Sequence, residues 1–262
     1  MSNELIIQKG SAGVEIALLS NRKLIEFHRE TAGEGFQVGD FYLGKVKKIS
    51  PSLNAAFIHV GGEKDGFLTY FDLGPNLTSL RKVVKLAVAG HPRASDLDQF
   101  TIEEPIVKTG KIGQVLKTGE PLLIQVIKEP IANKGPKVTC DISIPGRYFI
   151  LVPFQNNISI SRKIGNPKEK ARLKDLANSI RPHNFGVIVR TVSEGVAIEE
   201  LDKDMRDLIK KWNDLIRGLK NATTATNVGP RAAINSLPAL IEPSLKYFCK
   251  IAKPAGFGAL AI

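Results

Sequence analysis

The sequence has only two cysteines, Cys140 and Cys249, and they lie far apart. Such a pair makes neither a disulfide framework nor a CxxC zinc motif, and a reducing compartment is the simplest expectation. No apolar run approaches the roughly 18 residues of a membrane-spanning helix. The opening MSNELIIQKG lacks the basic segment and apolar stretch of a secretory signal. Together these absences predict a cytoplasmic protein without a membrane span. No glycine-rich phosphate loop of the G-x-x-x-x-G-K-[ST] type occurs. The four histidines, His28, His59, His91 and His183, have no spacing to either cysteine that suggests a nucleophile and its base. Acidic side chains are the minority charge, 26 against 37 Lys and Arg, which leaves a formal +11. A chain this basic points to a polyanionic partner, nucleic acid before an anionic membrane surface.

The 262 residues, 43% of them apolar and 24% charged, suit one large domain or a few small ones. Residues 4–30 read as three short strands, ELIIQ, GVEIALLS and RKLIEFHRE, in a small antiparallel meander. From Gly39, strand-like runs punctuated by Gly39, Gly44, Gly61, Gly62 and Gly66 fit a small closed barrel. Residues 72–108 break this rhythm and read as an insertion with a short helix near Leu80–Ala89. The strands resume at 121–130 and 137–144. Beyond Gly146 the pattern is strand, basic segment, helix from Pro167 to Ile180, and the buried-type strand FGVIVRT. Residues 198–220 carry a three-and-four spaced apolar stripe that includes Trp212, read as a packing residue. After Asn221 no period is sustained, and 221–262 is expected to show little order beyond a short helix near Pro243–Ile251.

In NAAFIHVGGEKDGFL, alternation sends Ala56, Ile58 and Val60 to one face and Phe57 and His59 to the other. Phe67 follows the turn. Two readings fit. The rings stack unpaired bases, with Lys45, Lys47, Lys48 and Lys64 near phosphates, or a second element such as 72–108 covers them. GVIVRT ends in Arg190 and Thr191, a planar guanidinium fork beside a hydroxyl. This pair either grips a phosphomonoester or is an ordinary surface arginine with a β-branched neighbour. Metal-dependent phosphodiester cleavage requires converging carboxylates. Asp96 and Asp98 fall in the expected insertion, and Glu103–Glu104 precede a proline. Glu199, Glu200, Asp202, Asp204 and Asp207 lie along a Lys- and Arg-rich helix, where solvated ion pairs are the reading. No catalytic residue and no metal ligand is assigned.

The stretch GKVKKISPSLNAAFIHVGGEKDGFL resembles the S1 RNA-binding domain, and PSLNAAF followed by GFL is similar to the ribonuclease E/G family of endoribonucleases. The resemblance implies an α+β, β-rich fold: an S1/OB-type five-stranded barrel inserted in an RNase H-like segment, then an α/β 5′-sensor region. It divides the chain into 1–37 (RNase H-like strands), 38–145 (S1 domain, with the insertion at 72–108), 146–220 (5′ sensor and long helix) and an atypical 221–262. It implies RNA contacts by Phe57, Phe67 and Lys134 of NKG, and a surface role for His59. It also implies a 5′-monophosphate site at Arg190 and Thr191, helped by Gly146 and Ile150 of GRYFILVP and by Arg162 of ISRKI. A complete family member is expected to use Mg²⁺ and a zinc-linked dimer. The similarity is read from about residue 4 to 220, and neither the family's aspartate-bearing strands nor its cysteine motif is found. The expectation is therefore single-stranded RNA binding with 5′-monophosphate recognition and little cleavage by this portion alone. The alternative is a non-catalytic S1-domain RNA binder associated with translation.

Overall fold

The structure, a computed structural model, describes residues 3–10, 13–31, 35–107, 109–222 and 226–228. Two compact units separate near Gly35. In the first, β1 (Asn3–Gly10), β2 (Gly13–Ser20) and β3 (Lys23–Thr31) form an antiparallel sheet in the order β1-β2-β3. Asn21 and Arg22 join β2 to β3 with φ of 48° and 65°. Two consecutive positive φ values are what a two-residue hairpin turn of the favoured hand requires.

The second unit begins with the strands β4 (Phe41–Ser50), β5 (Ala55–His59) and β6 (Gly66–Thr69). Helices α1 (Leu77–Val88) and α2 (Ile112–Val115) follow, then β7 (Pro121–Lys128) and β8 (Lys137–Thr139). The strands hydrogen-bond in the order β4-β5-β6-β8-β7, and β7 pairs back onto β4, so five strands close into an S1/OB-type barrel. Its interior is branched and aliphatic: Val46, Ile58, Leu68, Ile124, Val126 and Val138 are all fully buried. Gly44 lets β5 approach, because a Cβ there would meet Ile58 Cγ2 at 2.5 Å. A bulge between Val46 and Lys48 adds one residue to β4 and turns its lysines outward.

The stretch read as an inserted break belongs to the core. Helix α1 begins at Leu77, three residues before the expected start, and buries Leu77, Leu80, Val83, Val84 and Ala87. It packs on β7, which is why Leu122 to Val126 are buried on both faces of that strand. Half-buried Arg81 on α1 makes a forked pair with Glu120, at 2.6 and 2.8 Å, just before β7. Cys140, after β8, is buried, and burial pushes its thiol up to about 12, so it is an inert packing residue.

The rest of the unit is β9 (Ile144–Pro145), β10 (Phe149–Pro153), β11 (Ile158–Ile160), α3 (Pro167–Ile180), β12 (Phe185–Val189), α4 (Ile198–Gly218) and β13 (Thr226–Asn227). A second sheet has the order β11-β12-β10-β9, with β11 parallel to β12. Helix α3 packs on β11 and β12, and α4 on β9 and β10. Trp212 of α4 is fully buried, edge-on to Phe154 and Phe185, and its indole N–H donates to Ser95 O at 2.8 Å. Asn184 donates to Leu97 O and Phe100 O at 2.8 and 2.7 Å. Residues 95–100 are thereby fixed to the second sheet's core. After Asn221 the described residues include β13, which pairs antiparallel with Tyr42–Leu43 of β4. The helix expected near Pro243–Ile251 lies outside the described residues.

An ion pair joins α3 to the turn after β12. Arg172 donates to both oxygens of Glu169 at 2.8 and 2.7 Å, and Gly195 N–H donates to the same carboxylate at 3.0 Å. The Arg172 hydrogen bonds, aided by that of Gly195, lower the Glu169 carboxyl from its ordinary 4.5 to about 2. A depressed carboxyl stabilises the fold fully above its unfolded value and ceases to do so as pH falls through the folded one. The stability gap between the wild type and Glu169→Gln should therefore narrow from about pH 4.5 toward pH 2, read as urea midpoints at each pH. A gap constant across that range would show that the carboxylate charge contributes nothing.

Candidate nucleic-acid interface

Strand alternation is realised at β5. Ala56 and Ile58 are buried, while Phe57 is half-buried on the outer face and His59 is exposed there. Phe57 stands directly opposite Phe67 of β6, with ring centroids 5.7 Å apart and the planes tilted by 58°. Both rings are half-buried, so neither is sealed from solvent. The register extends the row in both directions. Lys48 of β4 pairs with Phe57, and Lys137 of β8 pairs with Phe67. Four adjacent strands thus present Lys48, Phe57, Phe67 and Lys137 side by side on the outside of the barrel.

The other expected residues lie around this row. Lys45 is exposed and faces His59 across β4 and β5. Lys47 pairs with Asp65 at 2.8 Å, and His59 Nδ1 lies 3.7 Å from the same carboxylate. Lys64 donates to Ala132 O, joining the β5–β6 loop to the β7–β8 loop. The loops touch closely: a Cβ on Gly135 would meet Asp65 O at 2.0 Å. Lys134 is exposed on that second loop, where Ile131 and Lys134 form a small bridge. Lys47 and Lys64 therefore also brace loops, whereas Lys45, Lys48 and Lys134 extend into solvent.

A second cluster forms where β12 ends. The Arg190 guanidinium donates to Gly146 O at 2.7 Å and to Arg147 O at 3.2 Å. The Thr191 hydroxyl lies 2.7 Å from Ser161 Oγ, because β11 runs parallel to β12 and Ser161 N–H donates to Val189 O. Arg162 is exposed next to Ser161. Ile150 of β10 faces Ile188 of β12, beside these groups in sequence. Gly146 uses both its backbone groups within the chain, its N–H on Phe149 O at 2.8 Å and its carbonyl on Arg190.

Two residues of this cluster escaped the sequence reading. One is Ser161. The other is Asp204, read as a solvated helix charge, whose carboxylate accepts from the backbone N–H groups of Arg147, Tyr148 and Phe149 at 3.0, 2.9 and 3.0 Å. Gly146 leaves the space it needs, since a Cβ there would lie 2.6 Å from Asp204 Oδ2. Glu200, one turn earlier on α4, accepts from the Tyr148 hydroxyl at 2.6 Å, a bond that raises the phenol's pKa. Asp202 does pair along the helix, with Arg206. Among the described residues, no group of three or more His, Cys, Asp or Glu side chains is gathered to hold a metal ion, and no helix is long and apolar enough to cross a membrane.

Residues 143–239 match the model of the ribonuclease E/G family. The chain is 38% identical over 177 residues to ribonuclease E of Synechocystis sp., an alignment covering 67% of this chain and 22% of that protein. It is 34% identical to ribonuclease E of Nostoc sp. with the same coverage, and 29% identical over 224 residues to ribonuclease G of Escherichia coli strain K12, covering 86% of this chain and 42% of that protein. The family match continues past Asn221, where the sequence reading had ended it. The chain belongs to the ribonuclease E/G family and spans less than half the length of these curated relatives.

Proposed function

We propose that this chain binds single-stranded RNA along the outer face of its barrel and holds a 5′-monophosphate end at Arg190 and Thr191. It does so as part of an endoribonuclease that processes or degrades RNA. The observation that carries this reading is the row Lys48, Phe57, Phe67 and Lys137. Two adjacent rings offer stacking surfaces, and the lysines at each side suit the phosphates of the same strand. In this reading residues 1–37 are the start of an RNase H-like segment, 38–145 the RNA-binding barrel and 146–220 the 5′-end region. Arg190 and Thr191 supply a fork and a hydroxyl to one phosphate, with Arg162 as a further cation and the Gly146–Ile150 strand as their support. Among the described residues no three His, Cys, Asp or Glu side chains gather into a metal-holding group, and no cleavage step is assigned to them.

The test is binding of 5′-monophosphate and 5′-hydroxyl oligonucleotides of one sequence at fixed salt, with Mg²⁺ present and the ligand checked for cutting. Phe67→Ala should weaken both ligands by about 1–3 kcal/mol. Arg190→Ala should leave the 5′-hydroxyl ligand unaffected and remove the monophosphate advantage. Equal losses on the two ligands for Arg190→Ala would contradict the 5′-end assignment, and an unaltered Phe67→Ala would contradict the barrel face.

A further inference from the structure

We infer that Phe71 is a third stacking position for an unpaired base, continuing the RNA path past the end of β6; the inference rests on the barrel-face reading above. Phe71 is 83% exposed, the most open large apolar side chain among the described residues whose exposure stands out. It does not follow from a frayed segment. It begins the short turn Phe71–Leu73, whose Leu73 is fully buried and whose Asp72 carbonyl accepts from Cys140 N–H at 2.8 Å and from the Thr139 hydroxyl at 2.7 Å. Burial alternates along β6, with Gly66 and Leu68 buried and Phe67 and Thr69 half-buried; at buried Tyr70 the backbone turns helical, and Phe71 follows exposed. Thr69 and Lys137, the outward-facing neighbours of Phe67, both bond the Asp72 carboxylate, so the turn that carries Phe71 starts at the end of that outer face.

Charge links the two rings. Lys137 starts level with Phe67 in the sheet, and its Nζ reaches 2.9 Å from Asp72 Oδ2. A cation thus lies between the two aromatic positions, and it offsets the one carboxylate beside Phe71. Thr69 donates to the same Asp72 oxygen. Ring, cation and ring, supplied by β6, β8 and the turn after β6, is the order in which a nucleic-acid strand offers base, phosphate and base. Leu53, 59% exposed, lies close by, because Tyr70 N–H donates to Asn54 O at 2.9 Å. The pair Phe71 and Leu53 would also suit an apolar protein contact. The continuity with Phe57 and Phe67, and the lysine between, favour RNA.

The experiment measures the anisotropy of 5′-hydroxyl oligouridylates of increasing length, with wild type, Phe67→Ala, Phe71→Ala, Phe71→Leu and Phe71→Trp. Phe71 touches little of the core, so these variants should fold, which the melting temperature checks. Phe71→Ala should bind the shortest oligomers as the wild type does and bind longer ones about tenfold more weakly. Phe71→Trp should restore long-oligomer binding, and Phe71→Leu should not, because leucine is apolar without a π face. A Phe71→Ala protein that matches the wild type at every length overturns the proposal while leaving the Phe67 face standing. If Phe67→Ala is also without effect, the underlying barrel-face reading fails instead. Full rescue by leucine, or a change in self-association with RNA binding unaltered, assigns the patch to protein contact and likewise overturns it.

Discussion

Asp204→Ala is expected to cost roughly 3 kcal/mol of stability, a large loss for a charged side chain on a helix surface. The carboxylate accepts three backbone N–H groups in succession, from Arg147 to Phe149. Each hydrogen bond to a charged acceptor contributes about 1.5–3 kcal/mol, and removing the acceptor leaves buried donors without a partner. Arg147 is exposed and water can replace its bond, so the loss comes mainly from Tyr148 and Phe149. Asp204→Asn should lose less, since one amide oxygen can still accept from those two while its NH₂ opposes the Arg147 N–H. Urea unfolding separates the two variants. The same substitution bears on the proposed 5′-end site, because the carbonyls that aim Arg190 belong to Gly146 and Arg147 in the pinned segment. A folded Asp204→Asn protein should prefer monophosphate over hydroxyl ends less strongly than the wild type, with hydroxyl-end affinity unchanged. If Asp204→Ala unfolds at the wild-type urea concentration, the three-bond clamp does not stabilise the fold.

Trp212→Ala should be the most destabilising single substitution considered, by about 3–5 kcal/mol. The indole is fully buried, edge-on to Phe154 at 6.0 Å and to Phe185 at 5.7 Å, so its loss opens a cavity between α4 and the second sheet. It also removes the N–H that donates to Ser95 O. Trp212→Phe keeps much of the apolar volume and loses the N–H, and should cost nearer 1 kcal/mol from that bond plus the smaller void. Urea titrations of both variants check the order. A Trp212→Ala loss below that of Trp212→Phe would mean the site collapses fully or was never close-packed.

What the sequence disclosed was what short periods disclose. Alternation placed Ala56 and Ile58 inside and Phe57 and His59 outside, because a strand's faces are fixed by parity alone. Helix α3 was readable from Pro167 at its start and Pro182 beyond its end, and α4 from its apolar stripe. Lys137 was not recognisable as Phe67's neighbour, because a parallel pairing between β6 and β8 depends on the path of some seventy intervening residues and not on local pattern. Asp204 looked like its acidic neighbours on α4, since a polar helix face does not show which position meets another segment's backbone. Residues 72–108 read as an insertion for a similar reason: part of their order comes from Trp212 and Asn184, which contact the backbone carbonyls of Ser95, Leu97 and Phe100 and leave no trace in side-chain pattern. Arg190 and Thr191 were singled out by motif, and the hydroxyl neighbour Ser161 emerges only from the parallel run of β11 beside β12.

The pairing of β13 with Tyr42 and Leu43 has a consequence for how the molecule is made. On the ribosome the barrel strands emerge long before Thr226 does, and β5, whose pairing with β4 ends at Lys45 and His59, cannot cover the first residues of β4. Until α4 and the residues after it have been translated, that stretch of β4 offers open amide and carbonyl groups to any passing strand. The nascent barrel thus keeps one open edge at Tyr42 and Leu43, which β7 leaves uncovered and which the last described residues close.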